Sequence, residues 1–161
     1  MDITPLELAA QVGALLQRRG LCLVTAESCT GGSIAKLVTD IPGSSAWFDR
    51  GLIVYSDMAK QELLNVRKST LAQFGAVSAE TVAEMALGAL HHSHAQLAAA
   101  VSGVAGPGGG SPAKPVGTVY WAWALGDNIV TRHAVLSGGR NSIRQQAVNV
   151  ALQGVLEVLE E

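Results

Sequence analysis

The fold is decided by residues 21–32, which read LCLVTAESCTGG. An apolar run typical of a buried strand ends at Glu27, and two hydroxyls, a thiol and two glycines follow at once. A helix-compatible run then begins at Ser33. A strand, a tight turn and a helix in this order place side chains and unpaired backbone N–H groups at the carboxyl end of a strand, where open α/β sheets bind ligands. Ser28 is therefore a candidate nucleophile on that turn.

The composition is that of one small domain whose core is built mainly from Ala, Val and Leu. The chain has 161 residues, of which 48% are hydrophobic and only 4% aromatic, and this length is sufficient to bury a core. The formal net charge of −2 gives no general attraction to nucleic acid or to a membrane surface, so local groups must hold any anionic ligand. No apolar run reaches the roughly 18 residues of a membrane span. We expect neither nucleic acid nor a membrane as a partner.

The cysteines and the start of the chain indicate a cytoplasmic protein. Cys22 and Cys29 lie seven residues apart, which is neither a disulfide framework nor a zinc spacing, so no metal site is expected. Reduced cysteines are typical of the cytoplasm. The first residues include Asp2 and Glu7 and lack a basic leader, which argues against a signal peptide.

Hydrophobic periodicity and turn residues predict an α/β fold in which residues 1–161 form a single domain. The predicted helices are residues 5–19, 33–39, 57–64 (with Asp57 as N-cap), 69–74, 78–92 and 141–159. The predicted strands are residues 21–27, 47–56, 96–102, 116–125 and 129–136, the last two joined by a turn at 126–128. Early alternation of strands and helices followed by a hairpin predicts a mixed, mostly parallel sheet of about five strands between helices, a three-layer α/β/α sandwich.

Ser28 and Cys29 each have two interpretations on the residues alone. A serine is a weak nucleophile without a neighbouring base, and Ser28 could simply cap the following helix. Cys29 is a rival nucleophile because a helix N-terminus activates a thiolate, or it is a buried structural thiol. These alternatives stay open at this level.

The histidines and Lys36 are weak candidates for the base. Three histidines (His91, His92 and His94) crowd the end of one predicted helix, where a solvated position is expected, and His133 lies on a hairpin strand. Ser33 and Lys36 match the S-x-x-K spacing of penicillin-binding enzymes, but the partner motifs of those enzymes are absent. Lys36 lies two helical turns from Ser28, which carries its amine away from the turn.

Lys60 is the better candidate for a base. It follows Tyr55 at a strand-to-helix junction, and neighbouring parallel strands would bring that junction beside Ser28. A desolvated lysine can act as a general base near neutral pH. Taken alone, a lysine in a first helical turn is more often solvated. Tyr55 either lends a hydroxyl to the same site or is a half-buried strand aromatic.

Residues 103–110 form the richest glycine and proline stretch and follow a predicted strand. They match neither the Walker pattern nor G-x-G-x-x-G, so the signal for phosphate is weak. Such a loop could present backbone N–H groups to an anion, with Ser102 adding a hydroxyl, or it could be a flexible connection. Arg140 and Arg144 could clamp a phosphate, although arginines at a solvent-exposed helix start are common.

Six motifs together resemble the CinA C-terminal domain family over almost the whole chain. They are AESCTGG (26–32), PGSS (42–45), YS with a lysine five residues after the tyrosine (55–60), GAVS (75–78), SGVAGP (102–107) and KPVGTV (114–119). The resemblance implies an α/β/α sandwich, usually a homodimer, that hydrolyses the carboxamide of nicotinamide mononucleotide to nicotinic acid mononucleotide and ammonia. It also implies a stand-alone member of the family, without the N-terminal domain of longer CinA proteins.

The same resemblance assigns roles to residues of this chain and implies a serine–lysine mechanism without metal or cofactor. Ser28 becomes the nucleophile, Lys60 the base and Tyr55 an assisting residue. Ser102 stands where a threonine is expected in many members, which keeps the hydroxyl. The residues expected to bind substrate are Glu27, Cys29, Thr30, Gly31, Gly32, Ser102, Gly103, Gly106 and Arg140. A nucleotide- or phosphate-binding domain without catalysis is the alternative.

Overall fold

Residues 2–160, which the computed structural model describes, form six α-helices and five β-strands. The helices are α1 (Pro5–Arg19), α2 (Ser33–Thr39), α3 (Asp57–Leu64), α4 (Lys68–Phe74), α5 (Ala79–His91) and α6 (Arg140–Glu160). The strands are β1 (Leu23–Glu27), β2 (Phe48–Ile53), β3 (Leu97–Gly103), β4 (Thr118–Leu125) and β5 (Asn128–Val135). Each predicted element occurs, in the predicted order.

The main differences from the prediction are at the element ends. Ser56, not Asp57, is the N-cap of α3, because the Ser56 side chain accepts a hydrogen bond from the backbone N–H of Ala59 at 3.0 Å. Asp57 is instead the first helical residue, where its charge suits the positive end of the helix. β2 ends at Ile53, three residues earlier than predicted, and the hairpin turn is shorter because Asn128 already belongs to β5.

The sheet has the strand order β2-β1-β3-β4-β5. β1 pairs in parallel with β2 and β3, whereas β4 is antiparallel to both β3 and β5. Within the described residues β4 alone therefore runs against the other strands. This confirms the predicted mixed, mostly parallel sheet with a C-terminal hairpin.

One face of the sheet packs on α1, α2 and α6. The indole N–H groups of Trp121 and Trp123 donate to the carbonyls of Ala147 and Ala151 of α6, both at 2.9 Å. Gly154 leaves room for the second indole, since a Cβ at that position would lie 2.0 Å from the Trp123 ring. No helix within residues 2–160 is both long and apolar enough to cross a membrane.

The opposite face is lined by small side chains and packs on α5. Alternate residues of β3 and β4 on this face are alanines, including Ala98 and Ala122, because successive strand residues point to opposite faces. α3 lies close against α5: a Cβ added to Gly88 of α5 would lie 1.9 Å from the carbonyl oxygen of Leu64. The predicted α/β/α sandwich is thus confirmed, and α5 sets the position of α3.

Candidate active site

Three segments meet at the carboxyl edge of the parallel strands. Glu27, the last residue of β1, is in register with Ile53 of β2 and Val101 of β3. The segments that follow these strands therefore lie side by side. Together with residues from two later parts of the chain, they line a cavity of about 380 Å³. Its wall is made by residues 28–29, 55, 60, 76–77, 102–106, 108–110 and 140.

The turn after β1 is held by its own glutamate. The Glu27 carboxylate is fully buried and accepts hydrogen bonds from the Thr30 hydroxyl (2.6 Å) and from the backbone N–H groups of Ile34 (2.9 Å) and Ala35 (3.0 Å) at the start of α2. A carboxylate stabilises the positive end of a helix. The structure therefore gives Glu27 a role in shaping the turn, which the sequence reasoning missed, and its predicted contact with substrate stays a prediction.

Ser28 does not cap α2, so that interpretation is wrong. The N-cap of α2 is Gly32, which makes no side-chain hydrogen bond. The Ser28 backbone N–H donates instead to the carbonyl of Val101 at 3.1 Å, which fixes the residue at the end of the sheet. Its hydroxyl oxygen lies 3.0 Å from Nζ of Lys60. The predicted adjacency of the two side chains is present in the structure.

Lys60 is only 1% exposed, although it lies in a first helical turn where a solvated lysine would be ordinary. Besides the Ser28 hydroxyl, Nζ has two neighbours within hydrogen-bond distance, the carbonyl oxygens of Val54 (3.0 Å) and Tyr55 (3.1 Å). Burial lowers the pKa of the Lys60 amine below its ordinary value of 10.5, against an opposing effect of the nearby Asp57 carboxylate. Desolvation disfavours the charged form of an amine, so Lys60 gives up its proton at a lower pH than an exposed lysine does.

Three oxygen atoms that can accept hydrogen bonds surround the Lys60 amine. The carbonyl oxygens of Val54 and Tyr55 can only accept, and Nζ also donates to the Ser28 hydroxyl oxygen, so these contacts match the three N–H bonds of the charged form. In the neutral form, the two carbonyls take the two N–H bonds and the lone pair is left for the hydroxyl hydrogen of Ser28. In that state Lys60 is placed to take the proton of Ser28.

Tyr55 contributes its backbone to the pair. Its carbonyl accepts from Lys60, as described above, and lies 3.5 Å from the Ser28 hydroxyl. Its side chain is 65% exposed, at the rim of the cavity. The assisting role of the phenol hydroxyl stays a prediction.

Cys29 lines the cavity but is a poor candidate for the nucleophile. Its side chain is 5% exposed, and burial raises the pKa of its thiol to about 11. The thiol therefore stays protonated near neutral pH, whereas the thiolate is the reactive form. This favours the structural interpretation of Cys29.

The other residues of the turn help to set its backbone conformation. The N–H of Gly31 donates to the Ser28 carbonyl at 3.1 Å, and Gly31 and Gly32 both have positive φ angles of 62° and 100°, which glycine adopts readily. Thr30, Gly31 and Gly32 lie outside the cavity wall, so their predicted contacts with substrate stay predictions.

The glycine-rich loop closes the cavity on the side of β3. Ser102 is 1% exposed and lines the cavity with Gly103 and Gly106. The Arg140 guanidinium reaches the same loop, where Nη1 donates to the Gly106 carbonyl at 2.7 Å. The structure thus brings these four predicted residues to the cavity that Lys60 also lines.

Two parts of the cavity region were not predicted as site residues. Residues 76–77 line the cavity, and the only signal for them was the GAVS motif of the family resemblance. Lys114, which follows the glycine-rich loop in the chain, contacts the segment before residues 76–77, since its Nζ donates to the Phe74 carbonyl at 2.7 Å. Within residues 2–160, no group of three or more His, Cys, Asp or Glu side chains is arranged to hold a metal ion.

Arg144 does not share the cavity with Arg140, so the predicted clamp of two arginines is wrong. Its guanidinium points to the turn instead, where Nε donates to the Cys29 carbonyl at 2.9 Å and Nη2 to the Thr30 carbonyl at 3.4 Å. It also lines a second cavity of about 460 Å³ between α2 and α6.

Comparison with known proteins supports one family. The CinA C-terminal domain family matches residues 6–159. The nicotinamide-nucleotide amidohydrolase PncC of Escherichia coli (strain K12) is 53% identical over 154 residues, 94% of this chain and 93% of its own length. The PncC protein of Pseudomonas putida is 48% identical over 151 residues, 94% of both chains.

Solved structures agree with these relatives. The competence/damage inducible protein CihA from Agrobacterium tumefaciens matches with a TM-score of 0.94 at 43% identity over 100% of both chains. The competence damage-inducible protein A from Klebsiella pneumoniae matches with a TM-score of 0.96 at 40% identity over 99% of both chains. The resemblance found in the sequence motifs is thereby confirmed, and the chain belongs to the CinA C-terminal domain family.

Proposed function

We propose that the protein hydrolyses the carboxamide of nicotinamide mononucleotide to nicotinic acid mononucleotide and ammonia. Two findings support this proposal: the similarity to nicotinamide-nucleotide amidohydrolases over most of the chain and the chemistry of the cavity. The observation that carries the mechanism is the 3.0 Å distance between the Ser28 hydroxyl and the buried Lys60 amine.

The reaction follows the logic of acyl transfer. Neutral Lys60 accepts the Ser28 proton while the oxygen attacks the amide carbon, and a tetrahedral intermediate forms. The C–N bond then breaks, and the leaving nitrogen takes a proton from Lys60 and departs as ammonia. Water hydrolyses the remaining ester between Ser28 and the nicotinoyl group of the mononucleotide, which restores the serine and releases nicotinic acid mononucleotide.

Backbone N–H groups at the turn are proposed to stabilise the negative oxygen of the intermediate. Such donors are worth most when they are held in place before the reaction. The turn meets this condition, because the Glu27 carboxylate and the sheet hydrogen bond of Ser28 hold it on both sides.

The cavity suits a nucleotide-sized substrate. Its volume of about 380 Å³ falls in the roughly 300–1,000 Å³ range of small-molecule sites. The glycine-rich loop and Arg140 line this cavity, and we place the 5′-phosphate of the substrate against them. We also expect a cytoplasmic homodimer, which the resemblance to the family implies.

A phosphate-binding domain without catalysis is the competing function. Such a domain could use the loop and Arg140, but a buried lysine against a serine hydroxyl would only lower its stability. The Ser28–Lys60 pair therefore favours the enzyme.

The proposal is tested by measuring ammonia released from nicotinamide mononucleotide, with free nicotinamide and NAD as parallel substrates. We expect the mononucleotide to have the highest kcat/KM, because the glycine-rich loop and Arg140 are proposed to bind its phosphate. Mass spectrometry after a rapid quench should show the nicotinoyl group, with the ribose phosphate still attached to its ring, on the peptide that contains Ser28. Equal activity on free nicotinamide would assign a different amidase, and no ammonia from any of the three would favour the binding domain.

Replacing Cys29 with alanine separates the two candidate nucleophiles. We expect kcat for ammonia release to fall by less than about tenfold, because the protonated thiol only lines the cavity. Ser28→Ala, assayed in parallel, should lose at least about 10³-fold. A Cys29→Ala variant as inactive as Ser28→Ala would move the nucleophile to the thiol.

A further inference from the structure

The guanidinium of Arg144 reaches the reactive turn from a helix that comes more than a hundred residues later. Arg144 lies in the second turn of α6, between Ile143 and Ala147, which are both buried in the core. The packing of this face fixes the rotation of the helix, and so the direction in which Arg144 leaves it. Its contacts with the Cys29 and Thr30 carbonyls therefore depend on the core itself.

The carbonyl of Cys29 has an unusual donor for this turn. The Ser28 carbonyl accepts from the N–H of Gly31, and the Thr30 carbonyl accepts from the N–H of Ser33 at 3.0 Å. Among the described residues, the Cys29 carbonyl has the Arg144 guanidinium as its donor. A hydrogen bond from a charged group is about twice as strong as one between neutral groups. The peptide that directly follows Ser28–Cys29 is thus held by a side chain.

The turn leaves room for this contact. A Cβ added to Gly31 would lie 2.9 Å from Nη2 of Arg144, so any other residue there would press on the guanidinium. The positive charge also acts on the site, since Arg144 is one of the groups that oppose the rise in the Cys29 pKa. A cation that contacts the turn stabilises negative charge that develops there.

We propose that Arg144 is a positioning residue that holds the turn in the conformation in which Ser28 meets Lys60 and the backbone N–H groups face the intermediate. This inference rests on the proposed amide hydrolysis. Arg144 acts behind the turn and not on the substrate, since it lies outside the wall of the catalytic cavity. Its loss should therefore slow the chemical step more than it weakens substrate binding.

The test compares Arg144→Met and Arg144→Lys with an Arg18→Met control, which removes an exposed arginine of α1. We expect Arg144→Met to lower kcat for nicotinamide mononucleotide at least about tenfold while KM changes less than about threefold. Lysine keeps the charge but offers no planar fork, so Arg144→Lys should recover part of the loss. The control should keep wild-type kcat.

A second readout does not depend on the identity of the substrate. A fluorophosphonate reacts with an activated serine by forming a P–Oγ bond and losing fluoride, while Lys60 takes the proton. Arg144→Met should slow this labelling of Ser28 by a factor similar to the fall in kcat. If the wild type is labelled but releases no ammonia, the proposed function fails while the comparison of labelling rates still tests Arg144.

The second cavity offers a rescue experiment, because Arg144 lines it and removal of the Arg144 side chain would leave space there for a small cation. Added methylguanidinium should raise kcat of Arg144→Ala, and methylammonium at equal concentration should raise it less. Wild-type kcat in Arg144→Met, a loss expressed only in KM, or no preference for methylguanidinium would each overturn the proposal. If Arg144→Met does not fold, Arg144→Lys carries the test, and wild-type kcat and labelling in that variant overturn it.

Discussion

Replacing Lys60 with methionine is expected to lower kcat for ammonia release by at least about 10³-fold. Methionine keeps an unbranched side chain of similar length but has no lone pair on nitrogen to take the Ser28 proton. The measurement is the steady-state rate on nicotinamide mononucleotide near neutral pH. Lys36→Met is the matched control, because Lys36 is an exposed lysine whose partner is Asp40 at the end of α2, and it should retain wild-type kcat. Near-normal turnover of Lys60→Met would remove Lys60 as the base.

The pH dependence provides a second check on the same residue. Below the pKa of Lys60 the amine holds a proton and cannot accept another, so kcat/KM of the wild type should fall on the acid side of that pKa. Burial lowers this pKa, which moves the active range toward neutral pH. The residual activity of Lys60→Met should lack this acid limb.

Stability should change in the opposite direction from activity. Because the folded-state pKa of Lys60 lies below its unfolded value, the unfolded chain binds more protons between the two values, and wild-type stability rises with pH there. Methionine binds no proton in either state, so its burial has no such pH-dependent cost. Lys60→Met should thus unfold at a higher temperature than the wild type, and the difference should narrow as the pH rises toward the unfolded pKa. A midpoint below that of the wild type would show that the Lys60 hydrogen bonds outweigh the cost of its burial.

The largest expected loss of stability comes from Gly88→Ala. Alanine is normally favoured over glycine inside a helix by about 1 kcal/mol, so helix propensity alone predicts stabilisation. The added methyl group would instead lie 1.9 Å from the backbone oxygen of Leu64, and backbone is less able to move than a side-chain tip. Overpacking of this kind costs about 1–3 kcal/mol or more. We expect a net fall in the free energy of unfolding, measured by urea denaturation.

The same substitution should also affect the site. α3 ends at Leu64 and carries Lys60, so displacement of α3 from α5 moves the amine away from Ser28 and lowers kcat. Gly139→Ala is the control, because a Cβ there meets no atom within 4 Å. Gly139 directly precedes α6, where glycine is preferred over alanine, so the free energy of unfolding should fall by no more than about 1 kcal/mol. A Gly88→Ala variant at least as stable as the wild type would mean that α3 can shift at little cost.

The Ser28–Lys60 contact was predictable because it follows from topology. Neighbouring parallel strands must end at the same edge of the sheet, and the sequence showed a serine after one strand and a lysine after the next. The N-cap of α3 was less predictable, since Ser56 and Asp57 are adjacent and both are good capping residues. Local preference could not choose between them.

The roles of Glu27 and Arg144 were beyond local sequence reasoning for different reasons. The Glu27 carboxylate turns back to amides seven and eight residues later, a spacing that matches no capping motif. Arg144 contacts a carbonyl 115 residues earlier, and only the crossing of α6 over the start of α2 brings the two together. Both contacts stabilise the turn and both depend on the tertiary fold.

The distribution of the indoles determines what spectroscopy can observe in this molecule. The three tryptophans, Trp47, Trp121 and Trp123, all belong to the core between the sheet and the layer of α1, α2 and α6. The layer of α3 and α5, which delivers the amine, contributes no indole. Intrinsic fluorescence will therefore monitor the melting of one half of the sandwich, whereas far-ultraviolet circular dichroism monitors both. If the two methods give different unfolding temperatures, the two halves unfold one after the other. The half that carries Lys60 could then unfold first without a change in fluorescence.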